Sequence, residues 1–270
     1  MMFDGFLPAL SAVINAFFLV AGVYIYVSLV RQISARVADP DAIPARKFGW
    51  PEAILAVVLA LFFLLTLAGP SSQKMTHMRD RDLIVSALFT IGLLLAVAGF
   101  LRLRRFDMDS LGGFSKIGFF RTAVTAGVLM LAAYPLIFLA DVITQRLLRR
   151  APEKQAIVEL FTGSSTLQQR ILIIVLAVTV APLAEEFIFR FFIYGVAKRY
   201  FGRSAGVVVS ALLFAAVHAH LPSFAPLFVL GSCFAIAYEW SGSILVPMTM
   251  HALFNALTLT ALAFPELIPQ

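Results

Sequence analysis

The chain has 270 residues, of which 61% are hydrophobic and 13% charged, and its formal net charge at pH 7 is +6. A soluble domain is usually nearer half apolar and a quarter charged, so the composition predicts a membrane protein. In such a chain the positive charge reflects basic loops, and we expect no nucleic-acid partner. The single cysteine, Cys233, excludes an intrachain disulfide and a Cys/His zinc cluster.

Apolar runs of helical length follow one another along the whole chain. Because a bilayer core needs about 20 apolar residues per helix, we predict an all-α, polytopic membrane bundle of about eight transmembrane helices. The run from Ser204 to Trp240 carries only one charge, Glu239, and its length requires two spans joined by the turn HAHLPS. The predicted spans cover residues 6–30, 51–68, 83–101, 119–143, 171–196, 204–218, 224–240 and 244–264.

We divide the chain at the polar stretch RRAPEKQ. Residues 1–150 would form the N-terminal spans one to four, and residues 151–270 a catalytic core of spans five to eight. The segment after Pro152 forms either an amphipathic helix along the membrane interface or an ordinary loop helix. Gly112 and Gly113 predict a flexible connection. The basic residues of the loops favour an outside N-terminus, although the basic stretch 146–170 argues against it.

Two adjacent carboxylates and an arginine lie inside the apolar run LAEEFIFRFFIYG, residues 183–195. Glu186 and Arg190 are at i, i+4, so they face each other on a helix and can neutralise each other. Glu185 points about 100° away and has no partner in its own helix. Pro182 removes a backbone hydrogen bond and can kink the helix, which would admit water. One carboxylate is thus available as a general base, unless both serve only as ion-pair partners.

Two histidines and an asparagine stand in apolar helices further along. The motif FAAVH places Phe214 and His218 at i, i+4, so the ring can pack on the imidazole. The motif HALFN places His251 and Asn255 on one helix face. Glu185 and His218 could hold and deprotonate a water. His251 and Asn255 could donate to the oxyanion that forms when this water attacks a carbonyl. The alternative is that each histidine is only an interhelical hydrogen-bonding group.

These three motifs, in this order on membrane spans, resemble the CAAX-processing endopeptidase and bacteriocin-immunity family (CPBP, Abi) of glutamate-type intramembrane proteases. The matching residues are EEFIFR at 185–190, FAAVH at 214–218 and HALFN at 251–255, and the resemblance covers about residues 181–255. It implies the activity of an intramembrane endopeptidase.

The resemblance assigns a role to each motif residue. The implied catalytic set, which holds the base, its histidine partner and the two oxyanion donors, is Glu185, His218, His251 and Asn255. The implied supporting set is Glu186, Arg190 and Phe214. Phe191 departs from the family pattern because glycine often follows the arginine there, which puts close packing near Arg190 in doubt.

Other intramembrane protease types lack their motifs, since no HExxH, GxSG or GxGD occurs in the chain. Zinc stays an alternative because Glu185, His218 and His251 could supply three ligands. No local ligand spacing defines such a site, so we expect no cofactor. Two alternatives outside the proteases are an immunity or scaffold protein that uses the buried polar network for packing, and a transporter or proton relay.

The motifs leave the substrate open. The expected partners are the lipid bilayer and a membrane-embedded or lipidated peptide, either a prenylated CAAX tail or a membrane-delivered peptide. We expect an integral, multi-pass protein of a bacterial or archaeal cell membrane rather than of the endoplasmic reticulum. Gly202 and Gly206 have the GxxxG spacing of either a dimer face or close packing within the bundle, so the oligomeric state is open as well.

Overall fold

The computed structural model describes residues 6–36, 48–67, 80–148, 156–164 and 166–264, and this part of the chain is helical and contains no β-strand. The predicted all-α class is therefore confirmed for the described residues. The α-helices are α1 (Phe6–Arg36), α2 (Trp50–Leu67), α3 (Asp80–Leu103), α4 (Met108–Gly112), α5 (Phe119–Leu148), α6 (Ala156–Gly163), α7 (Leu167–Val175), α8 (Ala181–Glu186), α9 (Tyr194–Val217), α10 (Phe224–Ser241) and α11 (Leu245–Ala263).

Six helical segments are long and apolar enough to cross a membrane, and Trp50–Leu65 is a shorter apolar helix. Their outer faces carry large apolar side chains such as Phe17, Tyr24 and Leu95, which are exposed. Helices that are apolar on both inner and outer faces suit a lipid environment, so the protein is an integral, multi-pass membrane protein. The predicted count of eight spans stays a prediction.

The longest apolar segment, Leu167–Val217, is two antiparallel helices rather than one span. Gly202 interrupts it with φ +82°, in the region that favours glycine because other side chains are strained there. Beyond this turn, Gly206 packs closely on the earlier helix, since a Cβ at position 206 would lie 3.0 Å from the Lys198 nitrogen. Gly206 therefore serves close packing within the chain, whereas Gly202 serves the turn, since a Cβ there would meet nothing within 4 Å.

The reversal at Gly202 brings two of the motifs level with each other. Across the two helices, the Ser210 hydroxyl donates a hydrogen bond of 2.9 Å to the Phe189 carbonyl. Glu185 and His218 stand at nearly equal chain distances on either side of Gly202. Each therefore lies about 25 Å along its helix from the turn, toward the same end of the bundle.

We call the end of the bundle that contains Gly202 the Gly202 end. Other helices also begin or end there. Arg203 at the turn donates to the Ile33 carbonyl near the end of α1. Arg36 at the last residue of α1 donates to the Trp240 carbonyl near the end of α10, with a distance of 2.7 Å. The Tyr200 ring lies 5.8 Å from Trp50 at the start of α2.

The connection at Gly112 and Gly113, which we predict to be flexible, is instead an ordered turn at this end. It forms the short helix α4, which Gly113 closes in the left-handed conformation with φ +62°. The Gly113 backbone packs so closely on Gly242 that no Cβ would fit. The N–H of Ile244 donates to the Gly112 carbonyl at 2.8 Å. Gly113 is therefore needed for close backbone packing, and the Gly112 carbonyl helps to fix the start of α11.

Helix α6 follows the polar stretch RRAPEKQ, which lies outside the described residues. Leu160 and Phe161 on this helix are buried against Ile173 and Leu259. These two apolar side chains thus pack on the bundle, as in an ordinary connecting helix.

Candidate active site

A single cavity of about 210 Å³ brings the motifs of three helices together. At roughly 30 Å³ per water, it could hold several waters or a short peptide segment. Its polar lining consists of Glu185, His218, His251, Asn255 and Thr258, and its apolar lining of Ala177, Ala181, Phe214, Leu227, Leu230, Phe254 and Leu259. All four residues of the predicted catalytic set therefore border the same space.

The helix that carries the glutamates widens into a π-helical turn, Leu176–Val180, just before them. Pro182 explains this distortion because it has no N–H and its ring clashes with the carbonyl four residues earlier. The Ala181 N–H bonds to the Leu176 carbonyl instead. The Ala177 carbonyl accepts a hydrogen bond of 2.7 Å from the Asn255 side chain. The proline thus leaves a carbonyl free that positions Asn255.

Glu186 is the centre of a buried polar cluster. Its Oε1 atom accepts from Arg190 at 2.9 Å and from His251 Nδ1 at 2.9 Å. The side chains of Glu186 and Arg190 are fully buried. The ion pair expected from the i, i+4 spacing is present. The contact with His251 could not be read from spacing, because it joins residues 65 positions apart on different helices.

Aromatic rings enclose the Arg190 guanidinium. Its Cζ atom lies 4.1 Å from the centroid of Phe214 and 5.2 Å from that of Phe234, within the range of cation–π attraction. The neighbouring Phe191 is buried and stacks on Phe187 with centroids 4.7 Å apart. The phenylalanine that replaces the family's glycine is thus accommodated, and Arg190 remains closely packed.

Glu185 has surroundings quite different from those of its neighbour. It is half-buried and lines the cavity. Its Oε2 atom, like Oε2 of Glu186, has no hydrogen-bond partner among the residues that the structure describes. The two adjacent glutamates differ in position: Glu186 is bonded to Arg190 and His251, whereas Glu185 lines the cavity.

Hydrogen bonds to Nδ1 determine which nitrogen each histidine offers to the cavity. The Nδ1 atom of His218 lies 2.7 Å from the Phe214 carbonyl, which only accepts, so Nδ1 carries the hydrogen. The neutral ring then has its lone pair on Nε2. The same reasoning applies to His251, whose Nδ1 donates to the Glu186 carboxylate. His251 can therefore donate from Nε2 only when its ring is protonated.

The two histidines differ in the groups that hold them. His251 is the histidine in direct contact with a carboxylate, and its ring also stacks on Phe234 with centroids 5.2 Å apart. His218 is held by a neutral backbone carbonyl.

Thr258 is a lining residue that the motif analysis missed. It lies three residues after Asn255 and seven after His251, a spacing that places all three on one helix face. That periodicity could have identified it. Its hydroxyl donates to the Phe254 carbonyl at 2.9 Å, within its own helix.

No group of three or more His, Cys, Asp or Glu side chains within the described part of the chain is arranged to hold a metal ion. Zinc stays an alternative to be tested by experiment.

The fold and the site define a polytopic membrane protein with a buried Glu/His/Asn site. Residues 167–257, from α7 through most of α11, match the family described as type II CAAX prenyl endopeptidase Rce1-like. This match supports the resemblance to the CAAX protease family that the three motifs indicate. No curated protein and no solved structure matches the chain.

Proposed function

We propose that this protein is an intramembrane endopeptidase that hydrolyses a peptide bond with a water activated by Glu185 and His218. The observation that carries the proposal is the convergence of the predicted catalytic set on one cavity. The family match supports it, because the matched family is one of endopeptidases.

Glu185 and His218 would bind the water through both of its hydrogens. The Glu185 carboxylate and the lone pair on His218 Nε2 are both acceptors, so each would take one O–H of the same water. This leaves an oxygen lone pair directed away from both residues, toward a substrate carbonyl. Glu185 would take the proton as the water oxygen attacks the carbonyl carbon.

Asn255 and His251 would stabilise the oxyanion that this attack creates. One amide hydrogen of Asn255 is used by the Ala177 carbonyl, which fixes the side chain and leaves the second hydrogen for the oxyanion. His251 would donate from Nε2 as an imidazolium held by Glu186. Glu186 and Arg190 would thus position a donor without touching the substrate.

The reaction would end when the C–N bond breaks and the proton on Glu185 passes to the leaving amine. The products are an amine and a carboxylic acid, which then releases the second proton of the water, and no acyl-enzyme forms. Cys233 and Ser210 are buried and do not line the cavity. Thr258 lines it, but its hydroxyl is engaged with a backbone carbonyl rather than with a base.

The substrate would be a membrane-embedded or lipidated peptide, because the site lies among membrane helices. A prenylated CAAX-type tail and a membrane-delivered peptide are the two classes to compare. We propose a bacterial or archaeal cell membrane as the location, and a reaction that needs no metal.

The test is cleavage by the purified full chain in lipid nanodiscs. Prenylated peptides, their unprenylated counterparts and membrane-inserted peptides would be incubated with it, with and without a chelator, and the products identified by mass spectrometry. We expect a new amide cleavage in at least one class, unchanged by the chelator. Activity that disappears with the chelator and returns with zinc would replace the proposed mechanism by a zinc-dependent one.

A further inference from the structure

We propose that a second, basic cavity at the Gly202 end binds the phosphate group of an anionic phospholipid. This cavity has a volume of about 600 Å³ and lies between the end of α1, the start of α5 and the end of α10. The proposal concerns lipid binding alone and does not depend on the proposed peptidase activity.

Three cationic side chains line this cavity: Arg36, Lys116 and Arg121. Among the described residues, its lining contains no carboxylate. Three positive charges around one space repel one another, and a bound anion would relieve that repulsion. Arginine presents several donors in a planar fork that matches the oxygens of a phosphate group, and lysine adds a compact charge.

The start of α5 adds a further contribution to anion binding. Gly118, Phe120 and Arg121, around the first turn of this helix of 30 residues, line the cavity. The first N–H groups of a helix have no partner within it, and the helix dipole is positive at this end. The backbone therefore favours an anion at the same place as the three side chains.

Hydrogen bonds hold the opposite wall of the cavity in place. Arg36 donates to the Trp240 carbonyl at 2.7 Å, and the indole N–H of Trp240 donates to Gln32 at 2.9 Å. A guanidinium has five N–H donors, so Arg36 keeps others for a ligand. The site is thus formed in part before any ligand arrives.

The position of the cavity favours a lipid over a free anion. It lies at the level where α1 and α10 end and α5 begins. The ends of apolar membrane helices lie at the depth of the lipid head groups. Phe119 and Phe120 beside it are exposed, and Trp240 forms part of its wall, as is typical of aromatic anchors at the interface. Val124 lines it one turn further into α5, where the apolar part of a lipid would continue. A basic head-group pocket above an apolar surface fits an anionic phospholipid.

The experiment compares the melting temperature of the full chain in nanodiscs of neutral phosphatidylcholine with that in nanodiscs containing phosphatidylglycerol. We expect the anionic lipid to raise it. The test variant is Lys116→Gln/Arg121→Gln. The matched control is Arg102→Gln/Arg199→Gln, which removes two exposed charges at the same end that do not line the cavity.

The test variant should lose most of the increase in melting temperature that phosphatidylglycerol causes, and the control should keep it. The protein released from mixed-lipid nanodiscs would also be examined by native mass spectrometry. The retention of phosphatidylglycerol should fall about fivefold for each charge removed from the cavity. If the test variant folds poorly, the single variant Arg121→Gln provides the same comparison by lipid retention.

Three results would overturn the proposal. One is an equal loss in the test and control variants, which would indicate general surface attraction. Another is the same stabilisation by inorganic phosphate in neutral nanodiscs, which would make a free anion the ligand. The third is the absence of any difference between the two lipids for the unmodified chain.

Discussion

The Nδ1 atom of His251 lies 2.9 Å from Oε1 of Glu186, so the second glutamate of the pair is the one that holds the histidine. The same oxygen accepts from Arg190. Glu185, in contrast, lines the cavity, which Glu186 does not. The division of labour between the two carboxylates follows from these contacts and leads to opposite expectations for their removal.

Glu186→Ala should lower the stability of the protein. It removes the carboxylate from two buried partners and leaves the fully buried Arg190 charge uncompensated, which costs roughly 3–5 kcal/mol. The measurement is the melting temperature and the yield of detergent-extracted protein. Glu185→Ala is the matched control one residue away, and it should fold nearly normally. If Glu185→Ala is the variant that fails to fold, the assignment of the two roles is reversed.

Asn255→Ala should reduce turnover with little effect on substrate capture. Losing one oxyanion donor usually costs about 10²–10³ in turnover, because the donor acts on the transition state. The measurement is kcat and KM for a cleaved peptide. Thr258→Val is the control, since it changes a lining residue on the same helix face whose hydroxyl bonds only within its own helix. A change in KM alone for Asn255→Ala would contradict the oxyanion role.

Gly231→Ala should disturb the packing around Arg190. A Cβ at position 231 would lie 3.1 Å from an Arg190 nitrogen and 3.1 Å from the Phe214 ring, so the buried cluster would have to shift. Such overpacking costs about 1–3 kcal/mol. Gly127→Ala is the control because its Cβ would meet nothing within 4 Å, and alanine favours the helix. Thermal unfolding of both variants measures the difference, and equal melting temperatures would contradict this packing.

Much of this arrangement could be predicted from the sequence because it depends on local periodicity. The pairing of Glu186 with Arg190 and the separation of Glu185 follow from helix geometry. The turn that reverses the chain near Gly202 follows from the charged residues between two apolar runs. Contacts between helices could not be predicted in this way. The hydrogen bond from His251 to Glu186 needs the tertiary fold.

The effect of Pro182 was only partly predictable. A kink is the general expectation for proline inside a helix, whereas the structure forms a π-helical turn. The sequence does not tell which carbonyl loses its helical partner. The hydrogen bond that Asn255 donates to this carbonyl depends on how α11 packs against the turn. The flexible connection expected at Gly112 and Gly113 was wrong for the same reason. Two glycines permit flexibility, and here Gly113 permits close contact with the backbone at Gly242, just before α11, instead.

Cys233→Ser should retain peptidase activity, and thiol-directed reagents should not inhibit the unmodified chain. The side chain is buried in α10 and does not line the cavity, so no thioester intermediate can form there. The assay is the cleavage rate before and after treatment with a thiol reagent. A covalent adduct between Cys233 and the peptide would contradict a mechanism in which water attacks directly.

The most direct test of the central claim is the cleavage rate of Glu185→Gln, measured with its melting temperature in the same nanodiscs. The substitution keeps the shape of the side chain and removes its ability to take a proton from water. We predict that the rate falls by about 10²–10⁴-fold, the usual contribution of a general base, while the melting temperature stays close to that of the unmodified protein. Cleavage at an undiminished rate by the folded Glu185→Gln variant would contradict the account.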